Sequence, residues 1–148
     1  MSIINTNNLQ EVIKKIKLSK EKPIIVQAQN DEFNRKILEY GKFDIILSPE
    51  SGNRKSSVRS IDSGMNNVLA KIAAKNNILI GINLKEISQL DKKQKAERLE
   101  KIIQNIKICR KAKAKLAIIS NIKKEAEHLL LSLGASTQQV KEAIYIEK

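Results

Sequence analysis

Four short runs of almost uninterrupted apolar residues punctuate this chain, and each is followed by a stretch whose apolar residues recur at helical spacing. The runs are Ile24-Ile25-Val26, Asp44-Ile45-Ile46-Leu47-Ser48, Ile78-Leu79-Ile80-Gly81-Ile82 and Lys115 to Ser120. A strand with one wet face alternates apolar and polar residues; these do not, which argues burial on both faces. Strands of that kind alternating with amphipathic helices imply a parallel sheet covered by helices. The links between them should be right-handed crossovers. Four strand-helix units are half of an eight-unit barrel. The expected fold class is therefore α/β, with TIM-barrel-like (β/α) units around a parallel sheet, an incomplete barrel unless a partner closes it.

Local signals set the helix limits. Thr6 can cap a first helix with the stripe Leu9, Val12, Ile13 and Ile16. Asn30 caps a second through Phe33, Ile37 and Leu38, and Gly41 supplies its left-handed stop. Pro49 to Ser60 reads as a Ser-rich loop, long for a compact domain, and such loops are usually functional or mobile. Asp62 or Ser63 is the expected cap of a third helix with Met65, Val68, Leu69, Ile72 and Ala73 on one face; Asn76-Asn77 breaks it. A long helix is expected from about Asp91 to Lys111, with Leu99, Ile102, Ile103, Ile106 and Cys109 inward. Another carries Ile122, Ala126, Leu129, Leu130 and Leu133 and stops at Gly134. Ser136 caps a last helix expected to run toward Ile144 or Ile146.

The 148 residues suit a single domain, 1–148, and 41% of them are hydrophobic, enough for a packed core. With no Trp, two Phe and two Tyr, that core must be built from Ile, Leu, Val and Ala. The net charge is +12, from 28 Lys+Arg against 16 Asp+Glu. Such an excess points to a phosphate-bearing partner, the alternative being a Lys-rich surface and nothing more. The lone Cys109 excludes an internal disulfide framework and fits a reducing compartment. The first residues carry no apolar run of signal-peptide length, and no stretch approaches the ~20 apolar residues of a membrane span. A cytoplasmic protein with no membrane partner is expected.

Catalytic chemistry finds little footing. His128 is the only histidine, and a metal ligand needs companions. Cys109 lies on a core stripe, the place of a small buried hydrophobe. No Gly-x-Gly-x-x-Gly and no Walker-type Gly-Lys-Ser/Thr occurs. No metal and no cofactor are expected on this chain. The basic residues say more. Lys107, Arg110, Lys111, Lys113 and Lys115 cluster where the long helix ends, a phosphate-contacting patch or simply the complement of the helix dipole. Lys92, Lys93 and Lys95 open the same helix, where cations are unfavourable; they recruit anions or form a solvated face. Asn53-Arg54-Lys55-Ser56-Ser57-Val58-Arg59 follows a strand, where parallel folds place their sites, and its hydroxyls and cations can grip phosphate oxygens. A solvated connector is the competing reading.

Several of these segments, taken in order, resemble a known family. Ser48-Pro49, then Asn53-Arg54-Lys55, then Gly64-Met65-Asn66-Asn67-Val68-Leu69-Ala70-Lys71 follow the order seen in ribonuclease P protein component 3. Arg98 in Ala96-Glu97-Arg98-Leu99 looks like the Arg near the start of that family's next helix. Lys115 to Ser120 looks like its strand ending in Ser-Ser/Gly-Ala, and Leu133-Gly134 with Gln139-Val140-Lys141-Glu142-Ala143 like its closing segment. The similarity runs from roughly Pro23 to the C-terminus. The family's Asp-His is Asn66-Asn67 here, and its Arg-x-Pro segment has no counterpart between Asn121 and His128. Most members are longer at the N-terminus, so the chain reads as an N-terminally shortened one.

The resemblance implies a barrel-like α/β subunit of ribonuclease P, which removes the 5′ leader of precursor tRNA. The RNA subunit carries the catalysis, with magnesium, and this chain would support it while inactive alone. The implied partners are ribonuclease P RNA, ribonuclease P protein component 2, other ribonuclease P protein subunits, and precursor tRNA in the holoenzyme. The candidate RNA-binding residues are Asn53, Arg54, Lys55, Arg59, Lys71, Arg98, Arg110, Lys111, Lys113 and Lys115. Two alternatives stay open: a generic basic RNA-binding or ribosome-associated α/β module, and a small phosphoesterase on a TIM-like scaffold, against which the single histidine argues.

Overall fold

The computed structural model describes residues 2–52, 54, 56 and 60–147. Its elements run β1 (Ile3–Ile4), α1 (Leu9–Leu18), β2 (Ile25–Gln27), α2 (Asp31–Tyr40), β3 (Ile45–Leu47), α3 (Asn67–Lys75), β4 (Leu79–Asn83), α4 (Leu84–Ser88), α5 (Lys92–Ala112), β5 (Leu116–Ser120), α6 (Lys123–Ser132), α7 (Thr137–Glu142) and β6 (Ile144–Glu147). The six strands form one sheet in sequence order, every neighbouring pair parallel. The four expected apolar runs are all strands within it.

The register sorts side chains onto two faces. Val26, Ile46, Ile80, Leu116 and Ile118 share a core with residues of the helices, among them Val12, Ile37, Leu69, Ile102, Ile106 and Leu130. Ile25, Ile45, Leu47, Ala117 and Ile119 form a second cluster made of strand residues alone, flanked by Ile3, Leu79 and Ile146. That second cluster is buried without a helix over it. A sheet can do this only by curling until its own side chains meet, as in a barrel. Full burial of each Ile or Leu here stabilises by roughly 1.5–3 kcal/mol. Space inside is tight at Gly81, where a Cβ would stand 2.8 Å from Ile45 Cγ2 and 2.9 Å from Leu47 Cδ1.

Several local expectations are corrected. The last segment is not a helix through Ile144 or Ile146. The helix opened by Ser136, with a reciprocal capping box to Gln139, ends at Glu142, and Ile144–Glu147 pairs with β5. An unpaired strand edge on β5 outcompetes a further helical turn. Ile3–Ile4 is likewise a strand, paired to β2. The cap of α3 is Asn66, whose Oδ1 accepts from Leu69 N at 2.9 Å, not Asp62 or Ser63. Those two are engaged elsewhere: Asp62 Oδ1 accepts from Arg54 and from Gly64 N, and Ser63 is bonded by Gln104 and Asn105. Similarly Asn8, not Thr6, caps α1. The short α4 was not expected. No described helix is long and apolar enough to cross a membrane.

Candidate nucleic-acid interface

The described residues of the connection leaving the C-terminal end of β3 are tied down by a set of hydrogen bonds and ion pairs. Ser48 is buried with φ 54°, in the left-handed region, and its N–H donates to Gly81 O at 2.9 Å. Ser51 Oγ donates to Ser48 O at 2.7 Å, and Gln27 Nε2 donates to Leu47 O at 3.1 Å. Arg54 is folded inward, its side chain only 9% exposed. Its Nε donates to Pro49 O at 2.8 Å and Nη2 to Gln29 O at 3.2 Å, while Nη1 meets Asp31 Oδ1 at 2.6 Å and Asp62 Oδ1 at 3.1 Å. Gly64, with φ 78°, passes so near the Pro49 carbonyl that any side chain would collide with it. From α5, Lys101 Nζ donates to Arg54 O at 2.8 Å and Gln104 Nε2 to Ile61 O at 3.0 Å. Arg54 is therefore no solvated residue of a connector: its side chain ties the β3–α3 connection to Gln29 and Asp31 at the β2–α2 connection.

A second ion cluster lies beside it. Glu50, 1% exposed, faces Arg98 of α5: Glu50 Oε2 is 2.8 Å from Arg98 Nη2, a close charge contact without hydrogen-bond alignment. Arg98, 13% exposed, also donates from Nη1 to Glu86 Oε1 at 2.9 Å. Burial pushes the Glu50 carboxyl up to about 7, against the pull of Arg98; Glu86, sharing the same guanidinium, adds to the rise. Arg98 thus lies in an internal ion cluster. Glu50 escaped the sequence reading because a Glu after Pro49 in a Ser-rich loop looks solvated.

The other candidate residues lie apart. Lys71 is exposed on α3. Arg110, Lys111, Lys113 and Lys115 are exposed around the end of α5, where Arg110 Nη1 donates to Gly134 O at 2.9 Å and Lys113 takes the left-handed cap at φ 62°. Asn53, Lys55 and Arg59 lie outside the described residues. Cys109 is buried and its thiol is pushed up to about 12 by desolvation, so it packs rather than reacts. His128 is exposed on α6. Among the described residues no group of three or more His, Cys, Asp or Glu is gathered for a metal.

Comparison with known proteins gives one consistent result. No protein-family model matches the chain. Ribonuclease P protein component 3 of Methanosarcina acetivorans is 31% identical over 117 residues, covering 79% of this chain and 45% of the relative. The component 3 protein of Methanococcus vannielii is 24% identical over 116 residues, 78% of this chain and 47% of the relative. That of Methanocaldococcus jannaschii is 27% identical over 110 residues, 73% and 44% respectively. This chain is similar to ribonuclease P protein component 3. It spans about half the length of these curated relatives. A chain in the cryo-EM structure of archaeal ribonuclease P with mature tRNA superposes with a TM-score of 0.75 at 22% identity, over 95% of this chain and 61% of that one. The likeness establishes the fold: an α/β, incomplete TIM-barrel-like sheet.

Proposed function

We propose that the chain is a protein subunit of ribonuclease P, supporting removal of the 5′ leader of precursor tRNA by the RNA subunit and not catalytic itself. The observation that carries this reading is the similarity to component 3 proteins over about four-fifths of the chain. The +12 charge suits a partner that is mostly phosphate, since each contact releases a counterion. The partners on this reading are ribonuclease P RNA, protein component 2, the other protein subunits and precursor tRNA, with magnesium serving the RNA. The chain acts as one domain and needs no metal of its own. The Glu50–Arg98–Glu86 cluster, buried at its Glu50 end, and the Arg54 contacts brace the described part of the connection after β3; they support shape rather than bond cleavage.

The test is reconstitution of leader cleavage from the RNA and the remaining protein subunits, with and without this chain. Cleavage that rises when the chain is added supports the subunit reading; cleavage indifferent to it removes that reading. Specific cleavage by the highly pure chain alone, lost on mutating a carboxylate, would instead make it a nuclease.

A further inference from the structure

Resting on that RNA-binding reading, we propose that the RNA backbone docks across the N-terminal end of the sheet, on lysines that only the topology brings together. In a singly wound parallel sheet every helix-to-strand connection emerges at one end. Here those connections carry Lys20 and Lys22 before β2, Lys42 before β3, and Lys113 and Lys115 before β5, while Lys75 closes α3 before β4. All six are exposed. The acids among them are Glu21 and Asp44, and Glu142, which closes α7 before β6. Lys22 Nζ lies 3.9 Å from Asp44 Oδ2 with its side chain 72% exposed, a contact too loose and too wet to neutralise it. Among the described residues, the other five make no ion pair.

Helix dipoles do not account for this arrangement. Cations at a helix end complement its negative pole, and Lys75 and the α5 C-cap Lys113 are of that kind. Lys20, Lys22, Lys42 and Lys115 lie past the last turn, in the connections themselves, where no packing duty holds a cation. Converging like charges repel, and a polyanion relieves the cost. Three of the six also border an opening: Lys22, Lys113 and Lys115, with Asp44 and Asn77, line a cavity of about 610 Å³ whose walls include Leu79 and Ile146. The rim is therefore concave, a shape that lets a sugar-phosphate backbone meet lysines from several connections at once. The other end of the sheet also carries exposed lysines, Lys92, Lys93 and Lys124 among them, but there they are interspersed with the exposed acids Asp31, Glu32, Asp91 and Glu125, and Arg54 and Arg98 are committed to Asp31, Asp62, Glu50 and Glu86.

The experiment compares two triple variants of equal charge change. K22A/K42A/K115A removes rim lysines. K92A/K93A/K124A removes exposed lysines from the starts of α5 and α6, at the opposite end. The probe is a fluorescein-labelled transcript of an archaeal ribonuclease P RNA, titrated with the full chain by anisotropy from about 50 to about 200 mM salt. The rim variant should lower the slope of log affinity against log salt by about 2–3, at 0.7–0.9 for each lost phosphate contact. The opposite-end variant should lower it by less than about one. Replacing the same rim lysines with Arg should restore the slope. Urea unfolding of each variant checks that the fold is kept.

Equal slope losses for both variants would overturn the proposal, because net charge and not the rim would then set binding. An unchanged slope combined with loss of a co-purifying protein from the rim variant would also overturn it and reassign the surface to a protein. If the rim slope stays while the native chain still promotes leader cleavage, the rim assignment alone falls. If the native chain neither binds this RNA nor promotes cleavage, both readings fall.

Discussion

Replacing Glu50 with Gln should flatten the pH dependence of stability between about pH 4.5 and 7. Glu50 is 1% exposed, and burial raises its carboxyl from 4.5 to about 7 although Arg98 stands 2.8 Å away. Arg98 cannot fully compensate because Glu86 draws on the same guanidinium at 2.9 Å. A raised pKa means that the folded state holds its proton more tightly than the unfolded chain. The associated stability is fully present below pH 4.5 and is lost as pH rises through about 7. A shift of that size, at about 1.4 kcal/mol per unit, corresponds to roughly 3 kcal/mol lost by the native chain across the window. Glutamine keeps the shape and cannot titrate. The assay is urea unfolding of both proteins at intervals from pH 4.5 to 8, reading midpoint and slope. The difference in unfolding free energy, native minus Gln variant, should fall by roughly 3 kcal/mol on going up the series. Curves that stay parallel across the window would refute the argument and mean that Glu50 is ionised throughout, fully paired by Arg98.

Three further outcomes follow from the same contacts. Arg98→Met should destabilise by roughly 3–5 kcal/mol at pH 8, by leaving Glu50 buried without its cation, and by clearly less at pH 5, where Glu50 takes up a proton; chemical unfolding at the two pH values reads the difference. Gly64→Ala should cost roughly 1–3 kcal/mol, since φ 78° is strained for any side chain and the added Cβ meets the Pro49 carbonyl; a thermal melt should show the drop, and an unshifted melt would mean that the β3–α3 connection relaxes freely. Asn66→Ala should cost about 1 kcal/mol by uncapping α3, whereas Ser63→Ala should act through its bond from Gln104 and leave the start of α3 as protected from amide exchange as before.

Features set by neighbours along the chain were legible in advance. The apolar runs around Val26, Ile46, Ile80 and Ile118 are strands because absent alternation is a local signature of two-sided burial. Asn30, Gly41 and Ser136 do what their residue types do at helix ends. The ordered segments from Ser48 to Lys71 were enough to point to the component 3 family. Features set by distant partners were not legible. Ile144-Tyr145-Ile146 becomes a strand only because β5 offers an open edge. Asp62 is withdrawn from capping by Arg54, and Arg54 from solvent by Gln29, Asp31 and Pro49.

The sequence by itself determined the alternating α/β architecture, the strongly basic character and the aliphatic core, because each follows from composition and from periods of two to four residues. The tertiary structure alone decided which cations are available. Charge is written in the sequence, but exposure depends on what folds against it. A buried carboxylate such as Glu50 claims Arg98 from 48 residues away, while lysines from separate connections reach one rim because parallel strands all begin at the same end.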